Sequence, residues 1–197
     1  MLGELKIPLL QKKTLCLGWP DKSVFVFGRD VVLGKRFKYG REAYFTILGG
    51  PYREKPLGLT GVKMAREIPL HKNGDHEINI PTVDFQVPPV GDLSIGLAEA
   101  VNQILDGKLL YVGCMAGRGR TGLFLAVLCR AFGIDHPVEY VRAHYYKHAV
   151  ETLDQYKYVE KFPIPPQVTA QIEGARKSRR FKLVSDLTDQ YLFTTQD

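Results

Sequence analysis

The stretch from Leu109 to Leu128 constrains the fold more than any other part of the chain. It opens with a short apolar run, Leu109-Leu-Tyr-Val112, bounded by Gly107-Lys108 and Gly113, which reads as a buried strand. It closes with Leu123-Phe-Leu-Ala-Val-Leu128, longer and rich in helix formers, which reads as a buried helix. Between them lies Gly113-Cys-Met-Ala-Gly-Arg-Gly-Arg-Thr-Gly122. A strand feeding a glycine-rich loop that opens onto a helix N-terminus gathers backbone N–H groups around one point. The helix dipole adds to their field, so the loop reads as an anion site. Cys114 places a thiol in that field.

Cys114 and Arg120 are separated by five residues. If the loop curls around a tetrahedral dianion, the amides of Met115, Ala116, Gly117, Arg118, Gly119 and Arg120 point inward. Arg120 then grips two oxygens with its planar fork, and Cys114 lies beneath the phosphorus. A thiol beside an arginine and a helix N-terminus is expected to ionise readily and act as a nucleophile. Thr121 either donates its hydroxyl to that sulfur or caps the helix. Arg118 is either a solvated cation at the rim or a contact for substrates carrying more than one phosphate. The histidines and cysteines show no metal-ligand spacing, so neither metal nor cofactor is expected.

The segment Cys114-Met-Ala-Gly-Arg-Gly-Arg120-Thr-Gly122 resembles the Cys-X5-Arg-Thr-Gly loop of the cysteine-dependent protein tyrosine and dual-specificity phosphatases. Its form is nearest to that found among dual-specificity, phosphoinositide and bacterial or viral phosphatases. Two more segments fall in the same order as in that family. Val83-Asp-Phe-Gln-Val-Pro-Pro89 resembles the general-acid loop, and Ala149-Val-Glu-Thr-Leu-Asp-Gln155 resembles the segment carrying a water-positioning glutamine. The resemblance covers roughly residues 65–162 and leaves the first 60 residues unmatched.

It implies an α/β fold with a central mixed sheet flanked by helices. It implies that Cys114 attacks phosphorus, that Asp84 protonates the leaving oxygen and later serves as base, and that Arg120 and the loop amides hold the equatorial oxygens. Gln155 places the water. The implied substrate is phosphotyrosine, with phosphoserine and phosphothreonine as further candidates. A phosphoinositide, an inositol phosphate or an RNA 5′ end is an alternative, and a phosphate-binding pseudophosphatase is another. One position departs from the family pattern: Gly113 stands where a loop-bracing histidine is usual. A less acidic thiol is the implied consequence, and Gly113→His is expected to lower its pKa.

The rest of the chain supports one domain over 1–197, with a strand-rich part at 1–60, a catalytic core at 65–162 and a C-terminal helix or tail at 167–197. Strands are expected at Val24–Phe27, Val31–Leu33, Ala43–Leu48 and Glu67–Leu70, with a loop over 51–64 and a polar turn from His71 to Glu77. Leu93, Leu97, Val101, Ile104 and Leu105 share one helical face, with Asp92 or Ser94 as cap and Gly107 as stop. Further helices are expected over Pro137–Lys147 and Glu151–Phe162, the second capped by Thr152.

Three cysteines, an odd and sparse set, argue against a disulfide framework and for a reducing, cytoplasmic setting. No apolar run approaches the ~20 residues that span a bilayer, and the N-terminus has no signal-peptide pattern. A net charge of +6 suits an anionic ligand, whether a phosphate ester, nucleic acid or an acidic membrane surface, and the resemblance implies a phosphorylated protein as partner, with a phosphoinositide or an RNA 5′ end as the alternative. The basic cluster Arg176–Lys182 reads as a solvated face.

Overall fold

A computed structural model describes residues 14–18, 44–70 and 76–178. The strands expected at Val24–Phe27 and Val31–Leu33, and most of the turn after His71, lie outside the described residues. So do the side chains of the basic cluster from Arg176.

The described strands are β1 (Thr14–Gly18), β2 (Tyr44–Pro51), β3 (Thr60–Ala65), β4 (Glu77–Thr82) and β5 (Leu110–Cys114). The helices are α1 (Val90–Leu105), α2 (Gly119–Ala131), α3 (Pro137–His144), α4 (Leu153–Lys161) and α5 (Pro166–Ser178). The sheet runs β1-β2-β5-β3-β4. β1 is antiparallel to β2, and the other pairs are parallel. This is a mixed α/β fold with a mainly parallel central sheet and flanking helices, as expected from the resemblance.

β5 is the centre. Every residue from Leu110 to Cys114 is buried, as befits a parallel strand covered on both faces. Its neighbours β2 and β3 run the same way, so Tyr52, Glu67, Asp84 and Cys114 all lie at or just beyond the carboxyl ends of parallel strands. Open α/β sheets bind ligands at that edge.

Two local expectations need correction. Glu67–Leu70 is a turn, not a strand, and the strand lies upstream at Thr60–Ala65, inside the stretch read as loop. Gly61 and Lys63 interrupt the apolar pattern there, but each has a packing reason. A β-carbon on Gly61 would overlap the Tyr52 hydroxyl. The Lys63 ammonium is buried and donates to the carbonyls of Ala65 (2.9 Å) and Ile68 (2.6 Å). The second correction concerns α1, which begins at Val90 after Pro89 with no side-chain cap, so neither Asp92 nor Ser94 caps it. Thr152 does cap α4, its hydroxyl accepting the Gln155 N–H at 3.1 Å.

α2 is buried at every residue from Gly119 to Cys129, and α1 buries Leu93, Leu97, Val101 and Ile104. Each such leucine contributes about 1.5–3 kcal/mol of burial, so the helix that opens at the loop is anchored by its whole length. Among the described residues, no helix is long and apolar enough to cross a membrane.

Candidate active site

Cys114 ends β5 and is 3% exposed. The loop after it is seated on the backbone of β2. Gly117 has φ +68, and a β-carbon there would overlap the Gly50 backbone. Gly50 in turn pairs with Gly113 across the sheet. A β-carbon on Gly113 would stand 2.8 Å from Tyr52 Cα and 2.9 Å from the Gly50 carbonyl oxygen. Both neighbours are backbone atoms, so any side chain there, the histidine of the family pattern included, would force the sheet to shift.

The loop is braced from another direction. Tyr145, at the end of α3, donates its hydroxyl to the Gly117 carbonyl at 2.5 Å. Its ring fills the space beside Gly49, 2.7 Å from where a β-carbon would lie. Burial pushes the Tyr145 phenol well above its usual pKa, and the charges of Cys114 and Tyr111 add to this. Tyr111 donates to the Pro51 carbonyl at 2.8 Å and is raised likewise, first by burial, then by Glu54 and Cys114. Two protonated phenols thus hold backbone carbonyls, Tyr145 that of the loop and Tyr111 that at the end of the neighbouring β2.

Arg120 is 2% exposed. One terminal nitrogen donates to Glu67 Oε2 (2.8 Å) and to the Thr82 carbonyl (2.9 Å). The other donates to Glu67 Oε1 at 2.7 Å and lies 2.9 Å from Asp84 Oδ1. Burial alone would lower the guanidinium pKa. The Glu67 hydrogen bonds and the charges of Cys114, Glu67 and Asp84 outweigh it and raise the value. Glu67 is held below the usual carboxylate range, chiefly by its hydrogen bond to Arg120.

Arg120 Nε and Thr121 Oγ1 are buried with no hydrogen-bond partner among the described residues. Buried polar groups are ordinarily satisfied, so two orphans on one anion-type loop mark a place for ligand oxygens or a thiolate. Thr121 does not cap α2, because Arg118 holds that position.

Two strained turns form the rim. Phe85, directly after Asp84, has φ +58, and Val150, directly before Glu151, has φ +60. Left-handed backbone at non-glycine residues costs on the order of 1–3 kcal/mol and persists only where surroundings enforce it. Here Gln155, fully buried, joins the two turns. Its Oε1 accepts the Glu151 N–H at 2.9 Å, and its Nε2 donates to the Gln86 carbonyl at 3.2 Å. Arg142 holds the carbonyls of Ala149 (3.0 Å) and Val150 (2.9 Å). Glu151 reaches back over the loop: a β-carbon on Gly119 would overlap its Oε2 and lie 3.3 Å from Gln155 Oε1. Met115, Ala116 and Arg118 are exposed, and the Arg118 guanidinium lies 5.3 Å above the Tyr146 ring.

The fold thus brings Cys114, Asp84, Arg120, Thr121, Gln155 and the loop 115–119 together. It adds Glu67, Tyr145, Glu151 and the Gly49-Gly50 platform, which sequence reasoning missed. One signal was available for Glu67, since a buried arginine demands a carboxylate partner. Nothing local marks the others.

No family model matches the chain. Two uncharacterized proteins of Methanocaldococcus jannaschii, MJECL20 and MJ0215, are 34% and 36% identical to it over 83 residues. The match covers 42% of this chain and spans about half the length of each relative (56% and 52%). Among solved structures, Tk-PTP in its active form superposes with a TM-score of 0.50 at 21% identity, covering 59% of this chain and 89% of its own. Human DUSP28 gives 0.50 at 16% identity, with coverage of 67% and 94%. DUSP15 gives 0.50 at 15% identity, with coverage of 69% and 92%. The chain has the fold of the protein tyrosine and dual-specificity phosphatases.

Proposed function

We propose that this chain is a cysteine-dependent phosphatase that hydrolyses phosphate monoesters through a cysteinyl-phosphate, with phosphotyrosine as the leading substrate class and phosphoserine and phosphothreonine as further ones. The observation that carries the reading is Arg120: buried, locked by Glu67, and left with an unpartnered Nε on the loop that begins at Cys114. An arginine so fixed costs no reorganisation when a phosphoryl group develops charge in its grip.

Cys114 is the nucleophile, and Thr121 offers its free hydroxyl to the sulfur. The amides of Met115, Ala116, Gly117, Arg118, Gly119 and Arg120 hold the equatorial oxygens. Asp84, kept at the site by Arg120, donates the proton to the leaving oxygen. Gln155 fixes the turns around the attacking water. The exposed apolar side chains of Val83, Phe85 and Met115 offer an aryl leaving group a surface to lie on. In this reading residues 65–162 form the catalytic core of a single domain. Free thiols at Cys114 and Cys129 suit a cytoplasmic setting.

A second reading rests on Arg118. It is exposed and pairs with no carboxylate among the described residues, which suits a second phosphate of a phosphoinositide, an inositol phosphate or an RNA 5′ end.

A substrate panel tests both, with Cys114→Ser as control. Phosphate release from phosphotyrosine peptides ahead of inositol polyphosphates and 5′-triphosphorylated RNA is expected. The reverse order selects the second reading. Phosphopeptide binding with no release from any substrate makes the chain a phosphate-binding module instead.

A further inference from the structure

We propose that Glu151 is the general base of the second half-reaction, taking the proton of the water that hydrolyses the phosphoenzyme. The proposal rests on the cysteinyl-phosphate reading above.

Among the described residues, Glu67, Asp84 and Glu151 bring carboxylates to the loop, and their surroundings differ. Glu67 is committed to Arg120 through both oxygens. Asp84 faces the same guanidinium at 2.9 Å. The Glu151 carboxylate makes no hydrogen bond or ion pair with any described residue, and it is exposed to solvent. Its Oε2 lies against Gly119, the loop residue directly before Arg120, where an added β-carbon would meet it.

The backbone holds it in that place. Val150 takes a left-handed conformation, which a β-branched residue resists. Arg142 clamps the preceding carbonyls, and Gln155 accepts the Glu151 N–H. Gln155 spends both ends of its amide on backbone groups, so it serves as the clamp and Glu151 is the group presented. The same clamp reaches the Asp84 turn through Gln86, which sets the two carboxylates on one rim.

The step balances as follows. Water attacks phosphorus, and a P–O bond forms as the P–S bond breaks. The sulfur leaves with the electron pair as the Cys114 thiolate. The water proton passes to Glu151, and hydrogen phosphate departs. Glu151 thereby takes over the base role that the resemblance implies for Asp84, which is left as the acid of the first step.

Rapid mixing with p-nitrophenyl phosphate separates the two steps. Glu151→Gln keeps the shape and the backbone hydrogen bond but cannot take the proton. The variant is expected to release a burst of nitrophenolate near one per site at the unmutated rate. Its steady rate then falls on the order of 100-fold, with phosphoryl-Cys114 accumulating by mass spectrometry. An unchanged steady rate overturns the proposal. A burst that slows together with the steady rate also overturns it, because Glu151 would then only shape the loop. An unmutated chain that releases no phosphate overturns the phosphatase reading, and this proposal with it.

Discussion

Arg120 and Arg118 stand two positions apart on one loop, yet they belong to different kinds of structure. Arg120 is 2% exposed and bound by Glu67, Thr82 and Asp84. Arg118 is exposed and rests on the face of Tyr146. The first belongs to a buried floor of close-packed glycine backbones, two phenols and an ion pair. The second belongs to a rim of exposed side chains carried on turns. Changes to the floor should therefore cost stability and activity together, whereas changes to the rim should alter rate or substrate choice in a folded protein.

Arg120→Lys tests the contrast hardest. A lysine keeps the charge but cannot make the bidentate bond to Glu67 or offer the Nε donor. Turnover of an aryl phosphate should fall about 100- to 1,000-fold, and the urea midpoint should drop as well. Arg118→Ala should leave both close to the unmutated values while weakening any preference for substrates with a second phosphate. Equal losses in the two variants would erase the distinction between floor and rim.

Gly113→His comes next. With backbone atoms of Tyr52 and Gly50 under 3 Å from the new β-carbon, the sheet must shift. A loss of about 2–3 kcal/mol in chemical denaturation is expected. A variant of normal stability with a more acidic thiol would show that the floor can yield.

Glu67→Gln links floor stability to pH. Glu67 has its pKa lowered in the folded state by Arg120. Its contribution is present above the ordinary carboxylate pKa of about 4.3. It is lost as pH falls through the lower folded value. The stability gap between the unmutated chain and Glu67→Gln should therefore be constant near neutrality and close in acid. A gap independent of pH would mean that Glu67 acts by packing alone.

Tyr145→Phe is the mildest. It leaves the Gly117 carbonyl without its donor at a cost of about 1 kcal/mol, read from the urea midpoint. No change would mean that the Gly50 platform holds the loop unaided.

The same contrast explains what the chain made legible. The strand at Leu110–Cys114 and the helix at Gly119–Ala131 show themselves through continuous apolar runs, and the turn between them through its glycines. Those signals are local. Gly49-Gly50 looks like ordinary punctuation until the loop after Cys114 is seen lying on it. Tyr145 reads as an aromatic beside a helix end, because its partner Gly117 is 28 positions away. Glu67 reads as part of a strand because Ile68 and Leu70 flank Pro69. Its role depends on an arginine 53 positions later. Gln155 stands out in its segment, but Glu151, the carboxylate beside it, does not, since its placement depends on a backbone conformation at Val150 that propensity disfavours. Legibility fails wherever a residue is defined by a contact across the sheet edge rather than by a period along the chain.

The most direct test of the account is to trap the covalent intermediate. The unmutated chain is mixed with p-nitrophenyl phosphate, quenched in milliseconds and digested for mass spectrometry, with Cys114→Ser treated in parallel. One phosphoryl group on the peptide containing Cys114, absent from the serine variant together with all turnover, is the predicted result. Turnover that persists in Cys114→Ser, or a phosphoryl group found only on another residue, would contradict it.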